Sequence, residues 1–119
     1  MKIENIGIDI IEIKKIEKIG IEKISKRILS PEEYNIFLNI NNIKRKLSFI
    51  AGRWAIKEAI FKTSYTNKNK KNNFCSYTIL NNKIGAPYIQ NLNKKKKIII
   101  SISHSEKYAV AFAILININ

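Results

Sequence analysis

Lys44-Arg-Lys-Leu-Ser-Phe-Ile-Ala-Gly-Arg-Trp-Ala-Ile-Lys-Glu-Ala-Ile-Phe-Lys-Thr-Ser64 is the longest periodic stretch of this chain, and it predicts one helix from about Lys44 to Ser64. At about 100° per residue, Leu47, Ile50, Ala51, Trp54 and Phe61 fall on one apolar stripe, with Glu58 in its middle. An unpaired buried carboxylate costs several kcal/mol, so Glu58 must meet a cation, a metal, a hydrogen-bond partner or a site opening. A plain salt bridge is one answer, because 22 Lys and Arg face 9 acids. Lys57 and Lys62 read singly as ordinary helix lysines. Lys62 stands one turn beyond Glu58, where it can pair with that residue or share its point in space beside phosphate oxygens. Phe49, Ile56 and Ile60 form a second apolar set on the opposite side. A helix apolar on two sides predicts packing against its own sheet and against another subunit.

Upstream, Ile3 to Ile11 reads as a strand, with Ile6, Ile8 and Ile10 on one face and Gly7, Asp9 and Ile11 on the other. Asp9 is the only aspartate of the chain and sits where aspartate is disfavoured. Taken alone it is an exposed strand residue opposite the isoleucine face. Taken with Glu58 it completes a pair of carboxylates, which suits Mg²⁺, a cation that fills its other positions with water and substrate phosphate. Isoleucines at 13, 16, 19 or 21 and 24, interleaved with Lys14, Lys15, Lys18 and Lys23, predict a basic amphipathic helix that Gly20 can interrupt. Ser30-Pro-Glu-Glu33 predicts a helix start, with Ser30 as N-cap, Pro31 at the first position and Glu33 closing a capping box. Tyr34, Phe37 and Leu38 of that helix are expected to point inward.

Downstream, Tyr65 to Asn73 is polar and aperiodic and reads as a loop. Ser76 to Leu80 predicts a strand, Asn81-Asn-Lys83 a turn, and Gly85-Ala-Pro87 a bend before Tyr88 and Ile89. Ile98 to Ser103 and Tyr108 to Ile118 predict an antiparallel hairpin in a core position. His104 continues the inward phase of Ile98, Ile100 and Ile102. A lone histidine there is more often a hydrogen-bonded core residue than a catalyst.

With 119 residues, 45% of them apolar, the chain suits one folded domain. Its longest apolar run, Ala109 to Ile116, is too short to cross a bilayer, and no signal-peptide pattern opens the chain, so a cytoplasmic protein without membrane contact is expected. One cysteine and one histidine leave no zinc cluster. A net charge of +13 selects anionic partners. That charge rests on 19 Lys and 3 Arg in a chain about half Ile, Asn and Lys, so codon usage supplies part of it. Scarcity of arginine argues against base-specific readout. A small basic RNA- or DNA-binding module without catalysis is the competing reading, supported by five Tyr and five Phe. It leaves Glu58 and Asp9 without a role.

Taken together, the segments resemble the holo-[acyl-carrier-protein] synthases, the small bacterial class of 4′-phosphopantetheinyl transferases. Ile6-Gly-Ile-Asp-Ile-Ile-Glu-Ile13 is similar to the family's first strand, and Arg27-Ile-Leu-Ser-Pro-Glu-Glu33 to the opening of its second helix. Phe49-Ile-Ala-Gly-Arg-Trp-Ala-Ile-Lys-Glu-Ala59 with Lys62 resembles its signature helix, and Ser101-Ile-Ser-His-Ser105 with Tyr108-Ala-Val-Ala111 its C-terminal hairpin. After the signature lysine, Thr63-Ser-Tyr-Thr-Asn67 keeps Thr66 but lacks the family's two glycines.

The resemblance implies an α+β fold over residues 1–119, an antiparallel sheet packed against a long central helix, assembled as a homotrimer with active sites at subunit interfaces. It implies transfer of the phosphopantetheine arm of coenzyme A to a serine of apo acyl carrier protein, releasing adenosine 3′,5′-bisphosphate, a step of fatty acid biosynthesis. Mg²⁺ is then held by Asp9 and Glu58, Glu58 also activates the serine, and Lys62 serves the leaving group. Arg45, Arg53, Lys62, Thr66, Gly85, Pro87 and His104 are the coenzyme A contacts by position, and Lys14, Lys15 and Lys18 the docking face for the acidic carrier protein, with no nucleic acid involved.

Overall fold

Two residues without side chains decide how the main helix meets the sheet. A Cβ at Gly7 would lie 2.0 Å from the Ala59 carbonyl oxygen, and one at Gly52 would lie 3.1 Å from Ile102. Strand β1 (Lys2–Glu12) therefore passes closely under the C-terminal half of the 20-residue helix that spans Ile43–Lys62. The structure is a computed structural model describing residues 1–64, 73–90 and 96–118.

After β1 come α1 (Ile13–Ile19), α2 (Ile21–Ile28), α3 (Pro31–Leu38) and the long α4 (Ile43–Lys62). A 3₁₀ turn at Phe74–Ser76 leads to β2 (Ile79–Asn81), β3 (Pro87–Ile89), β4 (Lys96–His104) and β5 (Tyr108–Asn117). One antiparallel sheet has the order β1-β5-β4, and β2-β3 form a separate ribbon. Gly20, at φ 114°, separates α1 from α2 at the interruption the sequence allows. The expected capping box forms: Ser30 Oγ accepts from the Glu33 N–H, and Glu33 Oε1 accepts from the Ser30 N–H at 2.8 Å.

Side chains on β5 alternate by size. Ala109, Ala111 and Ala113 are buried on the side that carries α4, where small residues admit a close helix. Val110, Phe112 and Ile114 face the other way, paired with Ile10, Ile8 and Ile6 of β1. On β1 it is therefore Gly7, Asp9 and Ile11 that turn inward, while Ile6, Ile8 and Ile10 remain 53%, 57% and 61% exposed. The exposed-strand reading of Asp9 is thus reversed.

Three further expectations change. Both apolar sides of α4 are covered within one chain, by the sheet on one side and by a cluster including Ile24, Ile28, Phe37 and Ile79 on the other, so its two-faced pattern needs no second subunit. The uncovered apolar surface is instead the outer face of the sheet. Leu38 points outward at 51% exposure, because α3 is short and packs through Phe37. The strand expected from Ser76 begins only at Ile79, since the chain first makes the 3₁₀ turn. All of Tyr65 to Asn73 except Asn73 lies outside the described residues.

Candidate active site

Asp9 and Glu58 are near enough to feel each other's charge where β1 runs under α4. Lys62 Nζ donates to the Ile8 carbonyl oxygen at 2.9 Å and to Asp9 Oδ1 at 3.1 Å, so it reaches across to the strand. Asp9 Oδ2 is shielded from solvent and has no hydrogen-bond partner. Burial pushes the Glu58 carboxyl above its usual range, and the charge of Asp9 adds to the shift. Lys62, the Trp54 side chain and Lys15 pull the other way. Two like charges brought together with one oxygen unsatisfied form a site that favours a cation. Both donors are hard oxygens, which fits Mg²⁺, and among the described residues no cluster of three His, Cys, Asp or Glu adds a further ligand.

His104 lies at the far edge of the same sheet face. Asp9 pairs through Ala111 with Ile102, and Ile11 through Ala109 with His104. His104 is thus two strands over and one repeat along from Asp9, ~10 Å across and ~7 Å along. It lines an open cavity of about 610 Å³ together with Arg45, Lys44, Ser48, Lys14 and Lys107. About 20 Å of helix separates Arg45 from Glu58, so one chain carries two separate clusters. Among the lysines expected to dock a carrier, Lys14 borders this cavity, Lys18 stands in the last turn of α1 on a surface shared with Glu12 and Glu17, and Lys15 sits 5.3 Å from the Trp54 ring centroid.

Arg53 turns inward. It is 7% exposed, and Nη2 donates to the Ile79 carbonyl oxygen at 3.0 Å and to Asn81 Oδ1 at 2.6 Å. Its guanidinium therefore serves the chain itself, which removes it from the direct coenzyme contacts expected above. Gly85 and Pro87 lie at and just beyond the β2–β3 turn, Gly85 at φ 86°. Thr66 lies outside the described residues.

Sequence reasoning passed over Lys44 and read Lys57 as an ordinary helix lysine, which its complete burial corrects. The signal for Lys44 was present: Lys44, Arg45 and Lys46 crowd the first turn of α4 with no acid beside them. Cations at the positive end of a helix dipole are unfavourable unless an anion joins them. Lys57 is completely buried, donating to Glu33 Oε1 and to the carbonyl oxygens of Ile28, Phe74 and Tyr77. Burial pulls its ammonium down and Glu33 pulls it back up.

Comparisons with known proteins give the family of the chain. Residues 5–113 match the sequence profile of the 4′-phosphopantetheinyl transferase superfamily. The holo-[acyl-carrier-protein] synthase of Onion yellows phytoplasma (strain OY-M) is 48% identical over 118 residues, covering 94% of this chain and 93% of that protein. A crystal structure of the Bacillus anthracis str. Ames synthase, in complex with CoA (3′,5′-ADP), superposes with a TM-score of 0.84 at 37% identity, covering 95% of this chain and 96% of that one. The Helicobacter pylori synthase in complex with coenzyme A gives 0.75 at 32% identity, covering 93% and 99%. These comparisons lend no support to the nucleic-acid reading. The chain belongs to the holo-[acyl-carrier-protein] synthase family of the 4′-phosphopantetheinyl transferase superfamily.

Proposed function

We propose that this protein moves the 4′-phosphopantetheine arm of coenzyme A to a serine of an acidic apo acyl carrier protein, in a Mg²⁺-dependent reaction that releases adenosine 3′,5′-bisphosphate. The observation that carries this reading is the junction of Asp9, Glu58 and Lys62, with Asp9 Oδ2 unpartnered. Asp9 and Glu58 would hold Mg²⁺, which when bound neutralises pyrophosphate charge. Glu58 takes the proton of the attacking serine hydroxyl, directly or through a water, as the serine oxygen bonds to the phosphorus that carries pantetheine. The bond from that phosphorus to the departing phosphate oxygen breaks, and Lys62 stabilises or protonates that oxygen. His104 and Arg45, with Gly85, Pro87 and Thr66, bind coenzyme A, and in the cavity that His104 lines Lys14, Lys44, Arg45 and Lys107 outnumber Glu17 and Glu106, which suits its phosphates.

The working form is a homotrimer with sites at subunit interfaces, which brings clusters of neighbouring chains together. What supports self-association is the inverted pattern of the sheet: its small side chains face its own helix, while Ile6, Ile8, Ile10 and Phe112 face out. Lys14, Lys15 and Lys18 receive the acidic carrier by charge complementarity. No helix among the described residues is long and apolar enough to cross a membrane, which suits the cytoplasmic setting proposed.

Intact-mass analysis of apo acyl carrier protein, incubated with this protein, coenzyme A and Mg²⁺, tests the reaction. A phosphopantetheine mass gain that is lost with EDTA and with Glu58→Gln supports it. Near-normal turnover by Glu58→Gln overturns the assignment of Glu58.

A further inference from the structure

The turn between β2 and β3 is exposed, yet its conformation is held more firmly than an exposed turn requires. Asn82 closes it from within. Its Oδ1 accepts from the N–H groups of Ile84 and Ala86 at 3.0 and 2.9 Å, and its carbonyl oxygen accepts from the Gly85 N–H at 3.0 Å. Asn81 holds it from outside. Its Nδ2 donates to the Gly85 carbonyl oxygen at 2.8 Å, while its Oδ1 accepts from Arg53 Nη2 at 2.6 Å.

Arg53 is a fixed anchor. Its Cζ lies 4.4 Å from the Phe49 ring centroid, its Nη2 also holds the Ile79 carbonyl oxygen, and its Nε stands 4.0 Å from Oε2 of the fully buried Glu33. Glu33 is itself held by Lys57 and by the Ile79 N–H. An unbroken set of polar contacts thus runs from the buried face of α4, through one asparagine side chain, to the carbonyl of Gly85.

The far side of the turn is open. A Cβ at Gly85 would meet nothing within 4 Å, and Ile84 at the apex is 88% exposed where turns favour polar residues. A rigid turn with an open glycine and an apolar apex is preformed to meet another molecule, and rigidity in the bound shape lowers the entropic cost of that meeting.

We infer that Asn81 and Arg53 are positioning residues for coenzyme A: they hold the Gly85 turn in the shape that receives the ligand, and Arg53 does so from the interior without touching it. The inference rests on the reading that Gly85 and Pro87 contact coenzyme A. It gives a buried cation of the signature helix a role at a distance, exerted through a backbone carbonyl.

Asn81→Asp separates anchor from turn. Its carboxylate still accepts from Arg53, so the interior contact survives, but it has no N–H to offer Gly85. Calorimetric affinity for coenzyme A should fall about tenfold, with a matching rise in KM for coenzyme A, while kcat and the KM for carrier protein stay within about twofold. Arg53→Lys, which keeps the charge and loses the fork, should shift the same parameters in the same direction. Unchanged coenzyme A affinity in folded Asn81→Asp overturns the inference. So does a fall in kcat with both KM values unchanged, accompanied by a lower melting temperature. Wild-type protein that binds coenzyme A without transferring its arm overturns the reaction, and the calorimetric comparison still decides the positioning role. Wild-type protein that does not bind coenzyme A overturns both.

Discussion

Lys62 Nζ lies 3.1 Å from Oδ1 of Asp9 and leaves Oδ2 of the same carboxylate shielded and without a partner. One oxygen is thus neutralised by the chain and the other is available to a cation. With coenzyme A present, adding Mg²⁺ should raise the melting temperature of the wild-type protein, and Asp9→Asn should remove most of that rise. An equal Mg²⁺ response in the two proteins would count against Asp9 as a ligand.

Glu58 ties stability to pH in the absence of metal. Its folded-state pKa is raised, first by burial and then by Asp9, so the folded protein prefers Glu58 protonated. This preference stabilises the fold fully below the unfolded carboxylate pKa and is lost as pH rises through the higher folded value. In EDTA, wild type should therefore lose stability relative to Glu58→Gln as pH rises through that window. Denaturation curves for the two proteins that run parallel across it would contradict the assignment.

Lys57→Met leaves the buried Glu33 carboxylate without its ammonium and removes the lysine donor from the carbonyl oxygens of Ile28, Phe74 and Tyr77, of which Phe74 keeps the Tyr77 N–H. The expected loss is about 3–5 kcal/mol in urea denaturation. Adding Glu33→Gln to that variant should recover part of it, because the uncompensated charge is then gone.

Ile8 is 57% exposed on the sheet face turned away from α4. Ile8→Lys should leave the folded monomer intact by circular dichroism and shift sedimentation toward the monomer. A wild-type protein already monomeric at high concentration would refute self-association through this face.

Charge docking predicts that KM for the carrier protein climbs with added salt, since screening shortens from about 10 Å at 0.1 M to about 3 Å at 1 M. Turnover at saturating carrier should change less. Lys14→Glu and Lys18→Glu should each reduce the salt dependence.

Much of this was legible from local patterns. The capping box at Ser30 and Glu33, the break at Gly20 and the run of α4 are set by residues close in sequence, and the structure has all three. Asp9 and Glu58 stood out because each breaks an apolar pattern. The inward face of β1 was not legible, because isoleucines occupy both faces and register alone decides which is buried. Lys57 was equally hidden: its acceptors are mostly backbone carbonyls of Ile28, Phe74 and Tyr77, which carry no sequence signature. The resemblance makes Arg53 a coenzyme A contact by position, and only the placement of Asn81 and Ile79 turns it into an internal strut.

The close approach at Gly7 has a consequence for the whole chain. A methyl group there would collide with the Ala59 carbonyl and force strand and helix apart. Asp9 is two residues along the strand and Glu58 is one residue back along the helix, so their separation is gauged by an atom that is missing. Variation at position 7 would be read out at positions 9 and 58, as a carboxylate pair spaced too widely to share one ion.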